Sequence, residues 1–381
     1  MRFVSRGAEC AFVIPTRNRC ARLLATLTRY AEMTGPDVEV IVIDNASSDD
    51  TVPQVRERFD RVRLIALEKN EGMCARNHGA SAAVAPNIFL LDDDSGPLPG
   101  AIESATQALR NPTLGAVACH VLLPDGSHEE GGSRHVYIGC GAVCRTSDLL
   151  AVGGYHPEYE CYVDEYDVSY RIMMRGLAVR DFETCAVWHE PQARESFDYM
   201  VEKLLSNNGY LAAKFYPPDE AARFVAWIAY RYSVFAQQKR AAAGFRRGME
   251  LLPEKILRGW ADRIPLPDAV LAQVLAHRDA APAFAALARR GVRRIAFLRA
   301  GKEIPGLIRA AHEAGLRVEF ILEKENGLLA QADRLFDIPV RPASDGPVDV
   351  DRIIVGGTSP GFIHNTLAYA KDAALPDVIA P

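Results

Sequence analysis

Three carboxylates in a row, Asp92, Asp93 and Asp94, follow the apolar run 88–91, and Ser95, Gly96 and Pro97 then turn the chain. Like charges at the end of a buried run repel one another unless a cation lies among them. Oxygen-rich groups of this kind suit Mg2+ or Mn2+, which keep open positions for phosphate oxygens. Another acid, Asp44, ends the run VEVIVID, and an adjacent pair, Asp164 and Glu165, lies in VDEYDVSYR. A carboxylate within hydrogen-bond reach of a hydroxyl can accept its proton. No Ser/His or Cys/His nucleophile set is visible.

The surrounding elements decide whether these acids meet. CAFVIP (10–15) reads as a strand, RCARLLATLTRYAEM (19–33) as a helix and VEVIVID (38–44) as a second strand. TVPQVRERF follows as a helix, VRLIALE as a strand, MCARNHGASAAV as a helix and NIFLLD as a strand. This repeated β-α unit predicts a parallel sheet covered on both faces. Ligands of such sheets sit at the carboxyl ends of the strands. Asp44 and the acids at 92–94 are therefore expected on one edge. Asp49 and Asp50 precede a helix with Pro53 near its start, so capping is their expected role. Asp167 and Arg171, four apart on a helix, read as an ion pair worth a few tenths of a kcal/mol.

From about 195 to 280 the pattern is mostly helical, with Pro217, Pro218, Pro253, Pro265 and Pro267 marking the breaks. From about 291 strands and helices alternate again: VRRIAFL, EIPGLIRAAHEAG, RVEFIL, GLLAQADRLF as a helix, VDRIIVGG and FIHNTLAYAKD. The expected division is 1–195, a helical extension at 196–282, and a small Rossmann-like α/β domain at 283–381. In that last domain RAGKEIPG lacks the G-x-G-x-x-G fingerprint of a dinucleotide site. The backbone of Gly356, Gly357, Thr358 and Ser359 in VGGTSPG could receive an anion, but tight turns alone would use the same glycines, and a structural or homodimer-forming role is expected ahead of ligand binding.

The 381 residues are 49% hydrophobic and 24% charged, enough for more than one core, and the net charge of −5 argues against a nucleic-acid binder. No apolar run approaches the ~20 residues that span a bilayer. Eight cysteines lack zinc-site spacing and read as reduced thiols, which suggests a cytoplasmic setting. Residues 221–263 hold nine Lys/Arg against three Asp/Glu, interleaved with Trp227, Tyr230, Tyr232 and Trp260. This is a solvated basic face or a peripheral contact with anionic lipid at the inner face of a membrane.

Taken in order, VIPTRNR (13–19), VIDNASSDDT (42–51), EKNEGMCARNHG (68–79), LLDDDS (90–95), GCGAVCRTSDLLAVGGY (139–155), YVDEYDVSYRIMMRG (162–176) and VWHE (187–190) resemble the family 2 glycosyltransferases. The resemblance covers roughly residues 10–280. It implies a GT-A fold with a mixed, mainly parallel sheet over 1–195, and inverting transfer of a sugar from a UDP- or dTDP-sugar donor. The acceptor would be a hydroxyl of a glycan, glycolipid or other glycoconjugate. Thr16, Arg17, Asp44, Asn45, Arg76, Asp92 and Asp93 would bind the donor. Asp94, Asp92 and His189 would hold Mn2+ or Mg2+, and a histidine ligand points to Mn2+. Glu165 would be the base and Asp164 its alternative; the family more often has Glu-Asp or Glu-Glu here. Cys140 and Cys144 read as small packing residues on the acceptor side, with Gly139 and Gly141 permitting close approach. Two other readings are a sugar nucleotidyltransferase and a catalytically degenerate scaffold. VIPTRNR lacks the glycines the first needs, and the intact acids weigh against the second.

Overall fold

The structure, a computed structural model of the chain, describes residues 8–33, 38–192, 196–345 and 349–381. They form two compact units that divide near residue 193. The expected boundary after residue 195 falls beside 193–195, which lie outside the described residues.

In the first unit the order is β1 (Cys10–Thr16), α1 (Cys20–Met33), β2 (Val38–Asp44), α2 (Thr51–Arg58), β3 (Val62–Ala66), α3 (Ala75–Ala82) and β4 (Asn87–Leu90). It continues with β5 (Ser95–Pro97), α4 (Ala101–Ala108), β6 (Leu114–Leu122), β7 (Ala142–Arg145), α5 (Thr146–Ala151), α6 (Asp164–Met174) and β8 (Ala178–His189). The eight strands form one sheet in the order β3-β2-β1-β4-β7-β6-β8-β5. The first four strands and the β6–β8 pair are parallel, while β7 and β5 run against their neighbours. This is the mixed, mainly parallel sheet expected.

All of β1 is buried, as a central strand covered on both faces requires. Phe12 meets Tyr30 and Phe89 edge-on, with ring centroids 5.1 and 5.7 Å apart. Such pairs add about 0.5–1.5 kcal/mol beyond their area burial. The same core reaches the chemistry, because the Tyr30 hydroxyl donates to the Ser95 carbonyl just after the three acids. Register does the rest: Thr16 pairs with Asp44, and Val13 with Leu90, so the ends of β1, β2 and β4 share one edge. Asp49 caps as expected, accepting the Cys20 and Thr51 N–H groups at 3.1 Å each. Asp50, at the N-cap of α2, makes no such side-chain bond.

The second unit begins with helices α7 (Asp198–Phe215), α8 (Pro218–Gln238), α9 (Ala242–Ala261), α10 (Asp268–Val274), α11 (Ala276–Asp279) and α12 (Ala281–Arg289). Its sheet comprises β9 (Arg294–Leu298), β10 (Arg317–Glu323), β11 (Arg334–Leu335), β12 (Ile338–Pro342), β13 (Arg352–Val355) and β14 (Val378–Ile379), with α13 (Ile304–Glu313) and α14 (Pro360–Asp372) between strands. The order is β11-β12-β10-β9-β13-β14, parallel except for β11. The first strand is thus central, as in doubly wound sheets. Trp227, Ile228 and Leu252 from the helices share a core with Phe284, Ile295, Phe297 and Leu307.

Two expectations fail in this unit. Pro253 does not break a helix; it lies inside α9. The neighbouring Leu252 packs so tightly over Gly209 of α7 that a Cβ there would sit 2.3 Å from its Cδ1. That packing, and the close approach of α9 to α7 at Gly244 and Gly259, outweighs one lost backbone hydrogen bond. Residues 327–336 form no helix despite their periodicity; β11 lies within them. The segment instead folds around the buried Glu323 carboxylate, which accepts the Leu329 N–H at 3.4 Å. Gln238 donates to the carbonyls of Gly327 and Leu328 at 3.0 and 3.2 Å, taking up groups a helix would use.

Candidate active site

The three acids fan out because the chain turns beneath them. The Asp92 N–H donates to Ser95 Oγ at 2.9 Å, and the Ser95 N–H returns to the Asp92 carbonyl at 3.3 Å. The side chains then take different directions. Asp92 pairs with Arg76 at 2.5 Å. Asp93 turns inward to the Thr16 hydroxyl at 2.7 Å and Arg19 at 3.0 Å. Asp94 accepts from Arg19 at 2.5 Å and lies 3.4 Å from His189 Nε2. Burial pushes the Asp93 carboxyl up to about 7, against the pull of Arg19. Burial also opposes ionisation of Asp94, but His189 and Arg19 hold its carboxyl below the usual range.

Arg76 joins the two acidic groups. It is 1% exposed and donates to the Gly139 carbonyl at 2.9 Å as well as to Asp92. Burial works against its charge, but Tyr155, Asp92, Asp164 and Glu165 more than offset that and hold the guanidinium above its usual range. Asp164 and Glu165 open α6, and Asp164 is 1% exposed with no hydrogen-bond partner on either carboxylate oxygen. Burial first, and then the like charge of Glu165, push Asp164 well above the usual carboxylate range. Glu165 is raised as well, chiefly by burial, with Arg76 opposing.

The backbone leading into this pair is strained. Glu160, Tyr162 and Val163 have φ of 58°, 61° and 72°. Left-handed conformations of such residues cost on the order of 1–3 kcal/mol each and gather at functional sites. The expected Asp167–Arg171 pair forms, but Asp167 is fully buried and also accepts the Tyr159 hydroxyl at 3.1 Å. Arg171 goes on to the carbonyls of Val152 and Gly154. Removing one partner of a buried pair costs about 3–5 kcal/mol, well above the surface value.

At the end of β2, Asp44 accepts the Ser47 N–H at 3.0 Å through Oδ2. Its Oδ1 is buried without a partner, open to a donor from a ligand. Asn45 is committed to the chain: it donates to the Gly72 carbonyl at 3.0 Å and accepts the Glu71 N–H at 2.7 Å. Arg17 is exposed. Arg19, two residues on, is the side chain of VIPTRNR that reaches the acids, and its place at the start of α1 is the only signal in the sequence.

Donor atoms for an ion converge. One each from Asp92, Cys140 and His189 lie within 4.8 Å of one another. His189 Nδ1 is 2.6 Å from Glu129 Oε2, an orienting carboxylate of the kind that accompanies metal-bound histidines. Burial disfavours charge on the ring, but hydrogen bonds to Asp94, Cys140 and Glu129 raise it well above the usual histidine range. Carboxylate, imidazole and thiol around one point suit a divalent transition-metal ion. Cys140, expected to be a packing residue in GCGAVC, instead faces this cluster, and Glu129 lies in no motif that would mark it in the sequence.

Residues 11–152 match the model of glycosyl transferase family 2. Validoxylamine A glucosyltransferase of Streptomyces hygroscopicus subsp. jinggangensis (strain 5008) is 35% identical over 127 residues, 31% of this chain and 30% of that protein. Succinoglycan biosynthesis protein ExoO of Rhizobium meliloti (strain 1021) is 36% identical over 93 residues, 24% of this chain and 27% of that protein. The chain thus spans under a third of the length of these relatives. A solved mannosyltransferase, PcManGT from Pyrobaculum calidifontis in complex with GDP-Man and Mn2+, aligns with a TM-score of 0.45 and 19% identity, covering 80% of this chain and 86% of that one. The matched residues include β2, β4 and all but the first residue of β1, with the acids at their ends, so the similarity to glycosyl transferase family 2 lies within the N-terminal unit.

Proposed function

We propose that the N-terminal unit transfers a sugar from a nucleoside-diphosphate donor to an acceptor hydroxyl, with inversion and with a divalent ion. One observation carries this reading: Arg76 holds the strand-end acid Asp92 and lies within the field of Asp164 and Glu165 at the start of α6. This supports a single site for the carboxylates proposed on the metal side and on the base side. Asp44 Oδ1 would accept an N–H of the base or a ribose hydroxyl. Asp92, Asp94 and His189 would hold the ion, with Arg19 and Arg76 shifting from acid to phosphate as the donor enters. A bound Mn2+ or Mg2+ would act as a Lewis acid on the departing diphosphate. Glu165, or Asp164 beside it, would take the acceptor proton during direct attack on the sugar carbon. One base and one displacement invert the configuration and require no covalent enzyme intermediate.

A thermal-shift screen of UDP-, dTDP- and GDP-sugars with Mn2+ or Mg2+ tests metal, base and sugar together. A ligand at a hundred times its Kd should stabilise the unit by about 2.7 kcal/mol. No shift with any nucleotide and either ion would sink the reading.

The acceptor class proposed is a glycan or glycolipid. No helix of the described residues is long and apolar enough to cross a membrane. Exposed Leu257 and Trp260 share α9 with Lys255 and Arg258, which supports a peripheral contact with anionic lipid on the cytoplasmic side. Flotation that is the same with neutral and anionic liposomes would remove that contact.

A further inference from the structure

The turn between Ile138 and Gly141 carries a thiol that sugar transfer as described leaves idle. The Gly141 N–H returns to the Ile138 carbonyl at 3.0 Å, which closes the turn. Its two glycines are required by what lies against them. A Cβ on Gly139 would sit 2.9 Å from Glu165 Oε1 and 3.1 Å from Arg76, and one on Gly141 would sit 2.7 Å from Val187. The Cys140 carbonyl is held at 3.0 Å by Ser95 Oγ, the same hydroxyl that shapes the turn at Asp92. Cys140 is 3% exposed, and its Sγ faces Asp92 and His189.

The geometry is close to that of a filled site. The three donor atoms lie within 4.8 Å of one another. Ligand atoms at the Zn–S and Zn–N or Zn–O distances of a tetrahedral site are separated by roughly 3.3–3.7 Å. Closure from 4.8 Å therefore needs side-chain movements of roughly 1 Å. Glu129 lies on His189 Nδ1, and Nε2 faces Asp94 at 3.4 Å. No other set of three His, Cys, Asp or Glu donors converges in this way among the described residues. The remaining buried cysteines, Cys10, Cys119, Cys144 and Cys185, belong to no such set.

We propose that Cys140 is an inner-sphere donor with Asp92 and His189, so that the site takes a borderline ion such as Co2+ or Zn2+ more tightly than Mg2+. The proposal rests on the metal reading of the preceding section. The physical basis is ligand softness: thiolate and imidazole favour later transition metals, whereas Mg2+ demands oxygen and water. On coordination the thiol proton passes to solvent and the sulfur binds as thiolate.

Titration of the full chain with Co2+, followed by absorption, tests this without reference to turnover. The wild-type protein should show a near-ultraviolet thiolate-to-cobalt charge-transfer band together with the visible d–d bands. Cys140→Ser should lose the first, keep the second and bind Co2+ at least about tenfold more weakly, with Mg2+ affinity unchanged. Cys140→Ala serves if the serine variant folds poorly, with circular dichroism as the check, and Cys144→Ser should behave as wild type. Co2+ bound without the band, or the same band in Cys140→Ser, would overturn the role of Cys140 alone. Absence of Co2+ binding to the wild-type chain would overturn the metal reading with it.

Discussion

Both units end parallel strands in buried carboxylates, and they treat them differently. Glu323 closes β10 of the second unit. It accepts backbone N–H groups from Lys324 at 3.0 Å, Ala300 at 3.2 Å and Leu329 at 3.4 Å. Its own loops use it up. Asp44, which closes β2 of the first unit, leaves one buried oxygen without a partner, and Asp164 leaves two. Asp92, Asp93 and Asp94 are met by the side chains of Arg76 and Arg19 rather than by a set of backbone N–H groups. An acid saturated by backbone builds a loop. An acid left short of partners at the same topological position is the one we propose meets a ligand.

The largest effect that would sharpen this contrast is Glu165→Ala. It should lower transfer by about 10^2–10^4-fold with thermal stability unchanged. The raised Glu165 carboxyl also sets a sign. The base must be ionised, so kcat/KM should fall as pH drops, with the acid limb above the 4.5 of a free glutamate. Full activity in Glu165→Ala and Asp164→Asn together would break the site apart. Glu323→Ala should do the reverse: about 2–3 kcal/mol of stability lost in urea unfolding, as buried N–H groups are orphaned, with the kinetics of the folded protein unchanged. Altered turnover without lost stability would mean that Glu323 belongs to a site after all. The smallest effect is at Asp44. Removing one ligand hydrogen bond by Asp44→Ala should raise the donor KM about tenfold and leave kcat intact. An unchanged KM would give Asp44 only a local backbone role, as its neighbour Asp49 has.

Strand ends were the most legible part of the sequence. Apolar runs such as 38–44 and 88–91 are long enough to fix a parallel strand, and an acid directly after one is placed by the register alone. What the sequence conceals is contact made across the fold. Cys140 meets Asp92 only because β7 pairs antiparallel with β4, bringing the 138–141 turn over the end of β4. Arg17 and Arg19 are indistinguishable by type, and the start of α1 decides which one faces the acids. The stretch 327–336 has a helical period, yet a buried carboxylate and Gln238 claim its backbone. Pro253 shows the converse: a local breaker is tolerated where packing against α7 is tight enough.

The most direct test of one shared site is Mn2+ binding in the presence of UDP, followed by electron paramagnetic resonance. We expect one tightly bound ion in the wild-type chain, and binding weaker by at least about tenfold in Asp92→Ala and in Asp94→Ala, both still folded. Equal Mn2+ affinity in the wild type and both variants would place the ion elsewhere and contradict the assignment of these acids.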